Sequence, residues 1–255
     1  MPQSPAFSVI PPRFPRREDC EFYHSFTLPD ETVDGQWDLR AAADAYLGEV
    51  DFKDRSVLEI GPASGYLSFH MERAGAAVTC IEPPMSHLWD IVPFRNFNID
   101  GWKAEFTPHL EGVRNSFWYC HALFESNVRM IETDPYAIPA EIGEYDIGLL
   151  ASVLLHCRVP FSLLEQTAKR VRKTMIVTET YYPHLGDRAV CELLPHLGAQ
   201  QVHTWWAFSP AFFVSALGIL GFSDVRLSFH TQRAPISGGE VSMFSVIASR
   251  PEAAA

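Results

Sequence analysis

The sequence predicts a doubly wound α/β domain whose parallel sheet ends in an antiparallel hairpin, and three observations carry that reading. First, residues 56–82 read SVLEIGPASGYLSFHMERAGAAVTCIE. An apolar run at 57–60 enters Gly61-Pro62-Ala63-Ser64-Gly65, an amphipathic stretch follows to Gly75, and a second apolar run at 76–81 closes on Glu82. That is strand, glycine turn, helix, strand: a βαβ unit. Second, apolar runs at 127–132, 145–151 and 175–179 continue the strand series. Third, the runs at 223–230 and 241–249 are joined through Ser237-Gly238-Gly239 and pair as a hairpin, giving seven strands.

Length and composition set the frame. At 255 residues, 47% of them hydrophobic, the chain builds one sizeable domain with a small appendage. No apolar run reaches the roughly eighteen residues of a membrane helix, and the first residues lack the pattern of a signal peptide. The five cysteines (Cys20, Cys80, Cys120, Cys157, Cys191) are scattered singly and read as reduced thiols of a cytoplasmic protein. A formal charge of −11 disfavours a polyanion as substrate and lowers a nucleic-acid reading.

The glycine turn carries the chemistry. Gly61 and Gly65 supply positive φ angles and a bare backbone for close ligand approach, and the helix behind aims its free N–H groups at that point. Glu82, about twenty residues on, suits a ribose diol. Two ligands compete, a dinucleotide and S-adenosylmethionine (SAM). The dinucleotide fingerprint needs a middle glycine; here Pro62-Ala63 replaces it and removes an N–H. Glu59 would repel a pyrophosphate but suits the cationic methionine end of SAM.

At Glu59-x-Gly61-x-x-x-Gly65 the chain resembles the class I SAM-dependent methyltransferases, whose first motif is an acid, then Gly-x-x-x-Gly, after the first strand. The resemblance implies a Rossmann-like seven-stranded sheet, SAM as cofactor and S-adenosylhomocysteine (SAH) as product. It places cofactor contacts at Glu59, Gly61, Ala63, Ser64 and Gly65, at Glu82 and Pro83, at Asp134 and Pro135, and at Ser152. Asp134 matches the position that accepts from the adenine amino group.

Residues 1–50 are expected to form an N-terminal arm and cap, and 51–255 the SAM-binding domain. Within the former, 1–18 are rich in proline and arginine and read as an extended, partly mobile arm. Residues 22–30 alternate enough for a short strand, and 37–47 read as a helix with Trp37, Ala41 and Ala45 on one face. Phe22-Tyr23-His24, Leu28-Pro29-Asp30 and Gly35, Asp38, Arg40 are similar to a subgroup related to the tRNA wobble-uridine carboxymethyltransferases. So is the stretch Val153-Leu154-Leu155-His156 with Pro160. Segments at about 83–127 and 180–208 interrupt the α/β rhythm and are expected to form the acceptor pocket, the first with a helix near 113–125. A helix starts near Phe161 with Leu164, Ala168 and Val171 on a stripe. Another runs from Ser209-Pro210, as N-cap and first-turn proline, to Gly221, with Phe213, Leu217 and Leu220 inward.

Methyl transfer asks mainly for positioning, and a hydroxyl acceptor also asks for a base. His156, after the fourth strand, is the first candidate; a histidine that merely holds its loop is the competing reading. His24 is the second candidate, with a structural role competing. His184, Asp187 and His203 fit no standard metal spacing, so no metal is expected. Tyr23, Trp89, Tyr181, Trp205 and Trp206 are expected to border the acceptor pocket, while Trp37 and Trp118 pack the cap. The expected function is methylation of a small molecule, oxygen favoured over nitrogen, such as a sugar, glycolipid head or secondary metabolite. Its rivals are a tRNA-modifying (carboxy)methyltransferase and a SAM-binding regulatory domain without turnover.

Overall fold

The computed structural model describes residues 6–87, 90–198 and 201–251. The arm contributes a strand, β1 (Ser8–Ile10), and the cap a two-residue hairpin, β2 (Phe26–Thr27) with β3 (Thr32–Val33). A single helical turn, α1 (Ala43–Tyr46), leads to the βαβ unit of β4 (Ser56–Ile60), α2 (Tyr66–Arg73) and β5 (Ala77–Glu82). Then come α3 (Ile99–Leu123), β6 (Arg129–Glu132), β7 (Tyr145–Ala151), α4 (Pro160–Ala168) and β8 (Val171–Thr180). The second interruption holds β9 (Cys191–Leu193) and β10 (Trp206–Phe208). The chain ends with α5 (Pro210–Ile219), β11 (Asp224–Ala234) and β12 (Gly239–Ser249).

The main sheet runs β1-β6-β5-β4-β7-β8-β12-β11. β4 pairs parallel with both β5 and β7, so the strand order reverses there and leaves a crevice at the carboxyl ends. Side chains alternate across the strands. Val57, Val78 and Ile147 join Phe69 and Phe117 on one face, while Leu58, Ile81 and Leu150 join Phe213 and Phe244 on the other. The helix from Ser209 is as expected: the Ser209 hydroxyl accepts from Phe212 N, Phe213 and Leu217 are buried, and Leu220 is half-buried.

Four details differ from the sequence reading. The sheet has an eighth strand, because Val9 pairs antiparallel with Ile131 and covers what would be the open edge of β6. The helix expected over 37–47 shrinks to Ala43–Tyr46. Trp37 instead bridges His24, Asp38 bridges Arg233, and the Asp38 carboxylate binds Arg40 at 2.8 Å. The helix expected near 113–125 begins at Ile99, where Asn98 accepts from Gly101 N. Pro108 hid its first half; helix interiors rarely hold proline, yet here the helix runs through it. Val171 opens β8 instead of extending the stripe of Leu164 and Ala168, though it packs in the same core.

Gly65 tests this packing. Its φ is +84°, and a Cβ there would lie 2.6 Å from Phe117 and 2.7 Å from Phe69. Gly65→Ala is expected to cost about 2–4 kcal/mol from overpacking and left-handed strain. Gly218→Ala, at a helical site with nothing within 4 Å, is expected to be neutral or stabilising by up to about 1 kcal/mol. Urea unfolding of both variants measures the contrast; equal midpoints would refute it.

Candidate functional site

A cavity of about 540 Å³ opens at the carboxyl ends of β4, β5 and β7. Its floor is the turn after β4, where Gly61 (φ 68°) and Ala63 (φ 51°) take left-handed angles. A Cβ on Gly61 would come 3.1 Å from Val153, so the bare backbone keeps two strand ends close. Ser64 and Gly65 do not line this space. The buried Ser64 hydroxyl accepts the His24 N–H at 2.8 Å and meets His24 Nδ1 at 3.2 Å, pinning the cap to the turn. Gly65 makes room for the two phenylalanine rings behind.

Three acids line the cavity, Glu59, Glu82 and Asp90. Glu59 is buried, and Ser68 Oγ donates to its carboxylate at 2.5 Å. Burial pushes its carboxyl up to about 7, against the hydrogen bonds from Ser68 and Cys80. Glu82 at the end of β5 is raised by burial too, while Arg114 of α3, at 3.7 Å, and the Ala63 N–H pull it back. Pro83 and Pro135 line the wall. Asp134 does not: it is exposed, and its carboxylate accepts from Tyr136 N at 2.9 Å in a local turn. The neighbouring Tyr136 ring takes the lining position and donates its hydroxyl to Asp90.

The turn after β7 brings the histidine. Ser152 has φ 53°, an uncommon angle for serine that the surroundings must hold. Its N–H reaches Thr178 O, and its hydroxyl meets Tyr46 Oη at 2.9 Å. A 3₁₀ turn, Leu154–His156, then sets the His156 ring on the cavity wall. His156 Nδ1 lies 2.5 Å from the His203 carbonyl. A carbonyl only accepts, so Nδ1 carries the proton and Nε2 the lone pair. Burial lowers the ring to about 4, against the His203 bond. His24 also lines the cavity, and burial lowers it to about 3. Both rings are neutral at pH 7.

Of the expected acceptor-pocket residues, only Tyr23 lines the cavity among those described; burial raises its phenol to about 12. Tyr181 packs edge-on against Phe229, 4.9 Å away. Trp205 donates its indole N–H to Asp90 O, and Trp206 to Cys157 O at 2.9 Å. Their rings therefore hold the wall from behind, because buried indole N–H groups seek backbone acceptors. Trp89 lies outside the described residues. Of the three residues weighed against a metal, His184 binds Glu192 on the surface, Asp187 is exposed and His203 sits at the cavity. Four contributors escaped the sequence reading: Tyr46, Ser68, Arg114 and the Asp90–Tyr136 pair. Tyr46, Arg114 and Asp90 arrive from distant segments, while Ser68 sits on α2 only nine residues past Glu59, where no local pattern marks it.

A doubly wound sheet of this order, closed by an antiparallel pair and carrying an acid-flanked glycine turn at the reversal, is the class I SAM-dependent methyltransferase fold. Solved structures agree. The N-terminal domain of EvdMO1, crystallised with SAH bound, is 18% identical with a TM-score of 0.55, covering 92% of this chain and 94% of that one. The magnesium protoporphyrin IX methyltransferase ChlM of Synechocystis PCC 6803, also with SAH, is 13% identical with a TM-score of 0.54, covering 84% and 82%. A curated relative is the tRNA U34 carboxymethyltransferase of Psychrobacter cryohalolentis, 27% identical over 202 residues. The match spans 78% of this chain but only 51% of the relative. No family model matches. At these identities the solved structures show a shared fold.

Burial gives stability two opposing pH trends. His24, His156 and His230 sit at about 3, 4 and 4 in the fold against 6.5 outside it. The unfolded chain thus binds more protons between about pH 4 and 6.5, and stability rises there. Glu59 and Glu179 sit at about 7 and 8 against 4.5, so between about pH 4.5 and 8 the folded chain binds more protons and stability falls as pH rises. Glu179→Gln still accepts from Leu154 N but removes one falling trend. Its melting temperature is expected to exceed wild type at pH 8.5, with the advantage lost by pH 5. A difference independent of pH would refute this.

Proposed function

We propose that the protein is a SAM-dependent methyltransferase for a small, uncharged acceptor, with a hydroxyl favoured over an amine as the nucleophile. The observation that carries the hydroxyl reading is His156. Its Nδ1–H is committed to the His203 carbonyl, which leaves Nε2 as the basic atom of a neutral ring at the cavity wall. A hydroxyl needs such a base; an amine carries its own lone pair.

The residues present fit the cofactor. Glu59 suits a cationic amino-acid end, Glu82 a ribose diol, and Gly61 to Ala63 the close approach of a ligand to backbone. Pro135 and Tyr136 offer flat walls for an adenine. When bound, the cofactor supplies a methyl group on an already activated sulfonium. The protein holds the acceptor in line, excludes water and receives the hydroxyl proton at His156 Nε2. Tyr23 and His24 of the cap close over this end.

The tRNA relative favours a second reading, a nucleic-acid acceptor. Against it stand the formal charge of −11 and the cavity lining, which holds Glu59, Glu82 and Asp90 along with Arg114. In favour of a sugar-like acceptor, the EvdMO1 domain was also crystallised in the presence of SAH and D-fucose.

The test is methyl-labelled SAM with a panel of sugars, phenols, amines and unmodified tRNA. Label in a hydroxyl compound supports the proposal; label only in tRNA moves it to the second reading. SAH binding without transfer to any acceptor would mean a domain without turnover. With the best acceptor, His156→Ala and His156→Asn are both expected to lower turnover by about 10²–10⁴-fold with SAH affinity nearly unchanged. The wild-type rate should fall on the acid side near pH 4, where the buried ring titrates. Full activity in His156→Asn would rule out proton removal at this residue.

A further inference from the structure

Arg114 lies outside every motif in the sequence, yet it meets the cofactor side of the cavity from α3. Glu82 and Glu132 are paired in register at the ends of the parallel strands β5 and β6, so both carboxylates leave the sheet on the same face. Two like charges side by side repel, and Glu132 favours protonation of the buried Glu82. The Arg114 guanidinium sits between them, 3.7 Å from Glu82 and 3.6 Å from Glu132, and donates to the Pro83 carbonyl. A planar fork with five donors can serve three acceptors at once; a lysine cannot match that geometry.

We propose that Arg114 is a positioning residue for the cofactor: by bridging Glu82, Glu132 and the Pro83 carbonyl it holds the Glu82 carboxylate in place as the acceptor for a vicinal diol. This rests on the SAM reading above. The other charged or titratable groups around Glu82 are few. Glu59 comes from β4, Cys80 from β5 itself, and Arg13 of the arm lines the small recess behind Glu82, Arg114 and Glu132. Arg13 is exposed, and Glu59 and Cys80 add no positive charge. Arg114 is therefore the buried-side cation that keeps Glu82 able to accept from two hydroxyls; a protonated carboxyl would lose one acceptor to its own proton. The same helix carries Phe106 and His109 to the far wall, so one rigid element joins the diol end to the acceptor end.

The experiment is calorimetric titration of the full chain with SAH from pH 6 to 9, which needs no acceptor. Arg114→Met is expected to raise Kd by about 10–100-fold at pH 7, the range for a lost charged hydrogen bond. Without its cation Glu82 protonates more readily, so the gap should widen towards pH 6 and narrow by pH 9. In a Glu82→Gln background, which alone weakens SAH, Arg114→Met should add less than about threefold. Arg114→Lys keeps the charge and should keep the wild-type pH slope, and it carries the test if the methionine variant does not fold. An unchanged Kd in Arg114→Met, a gap independent of pH, additive losses with Glu82→Gln, or a steepened slope in Arg114→Lys would each overturn the proposal. Failure of the wild-type protein to bind SAH would overturn the SAM reading itself.

Discussion

The site depends on one constraint: the turn from Ser152 to Cys157 is largely buried, and its backbone groups find partners within the protein. Glu179, buried at the end of β8, accepts from Leu154 N at 3.1 Å and from Leu155 N. Trp205 N donates to Leu155 O, the Trp206 indole to Cys157 O, and Asp90 accepts from Arg158 N at 2.7 Å. The partners come from three segments: the fifth core strand, the second interruption and the first. The interruptions are thus the clamps that place His156 as well as the walls beside it.

Burial then tunes the charges that this clamp encloses. The same desolvation raises Glu59 and Glu179 and lowers His24 and His156, so acids and imidazoles alike are driven towards neutrality. Glu82 departs from the pattern in degree, because Arg114 opposes its burial. A cavity that is mostly neutral, with carboxylates ready to ionise beside a cation, suits a positively charged ligand end next to an uncharged acceptor.

The cap works through backbone more than through helix. Gly35 illustrates this: a Cβ there would stand 2.4 Å from the His24 backbone, so the two segments touch main chain to main chain. Through that contact the His24 ring reaches the cavity, and Ser64 locks it to the glycine turn. The hairpin of β11 and β12 reinforces the cap from the other side through Arg233 and Asp38.

The core strands, the glycine turn, the Ser209 cap and the closing hairpin could all be read from the sequence, because periodicity, glycine placement and capping are local. The cavity position of Glu59, Gly61, Glu82 and His156 could be read too, since each lies at or just past the carboxyl end of a strand. The tertiary structure decided the rest. It turned Trp205 and Trp206 towards backbone acceptors, took Asp134 out of the lining, and brought Tyr46 to Ser152 across 106 positions of sequence. It set Arg114 between two carboxylates made neighbours by strand register. Local patterns specify where elements form; which polar groups meet is settled only when distant segments must satisfy one another's buried hydrogen bonds.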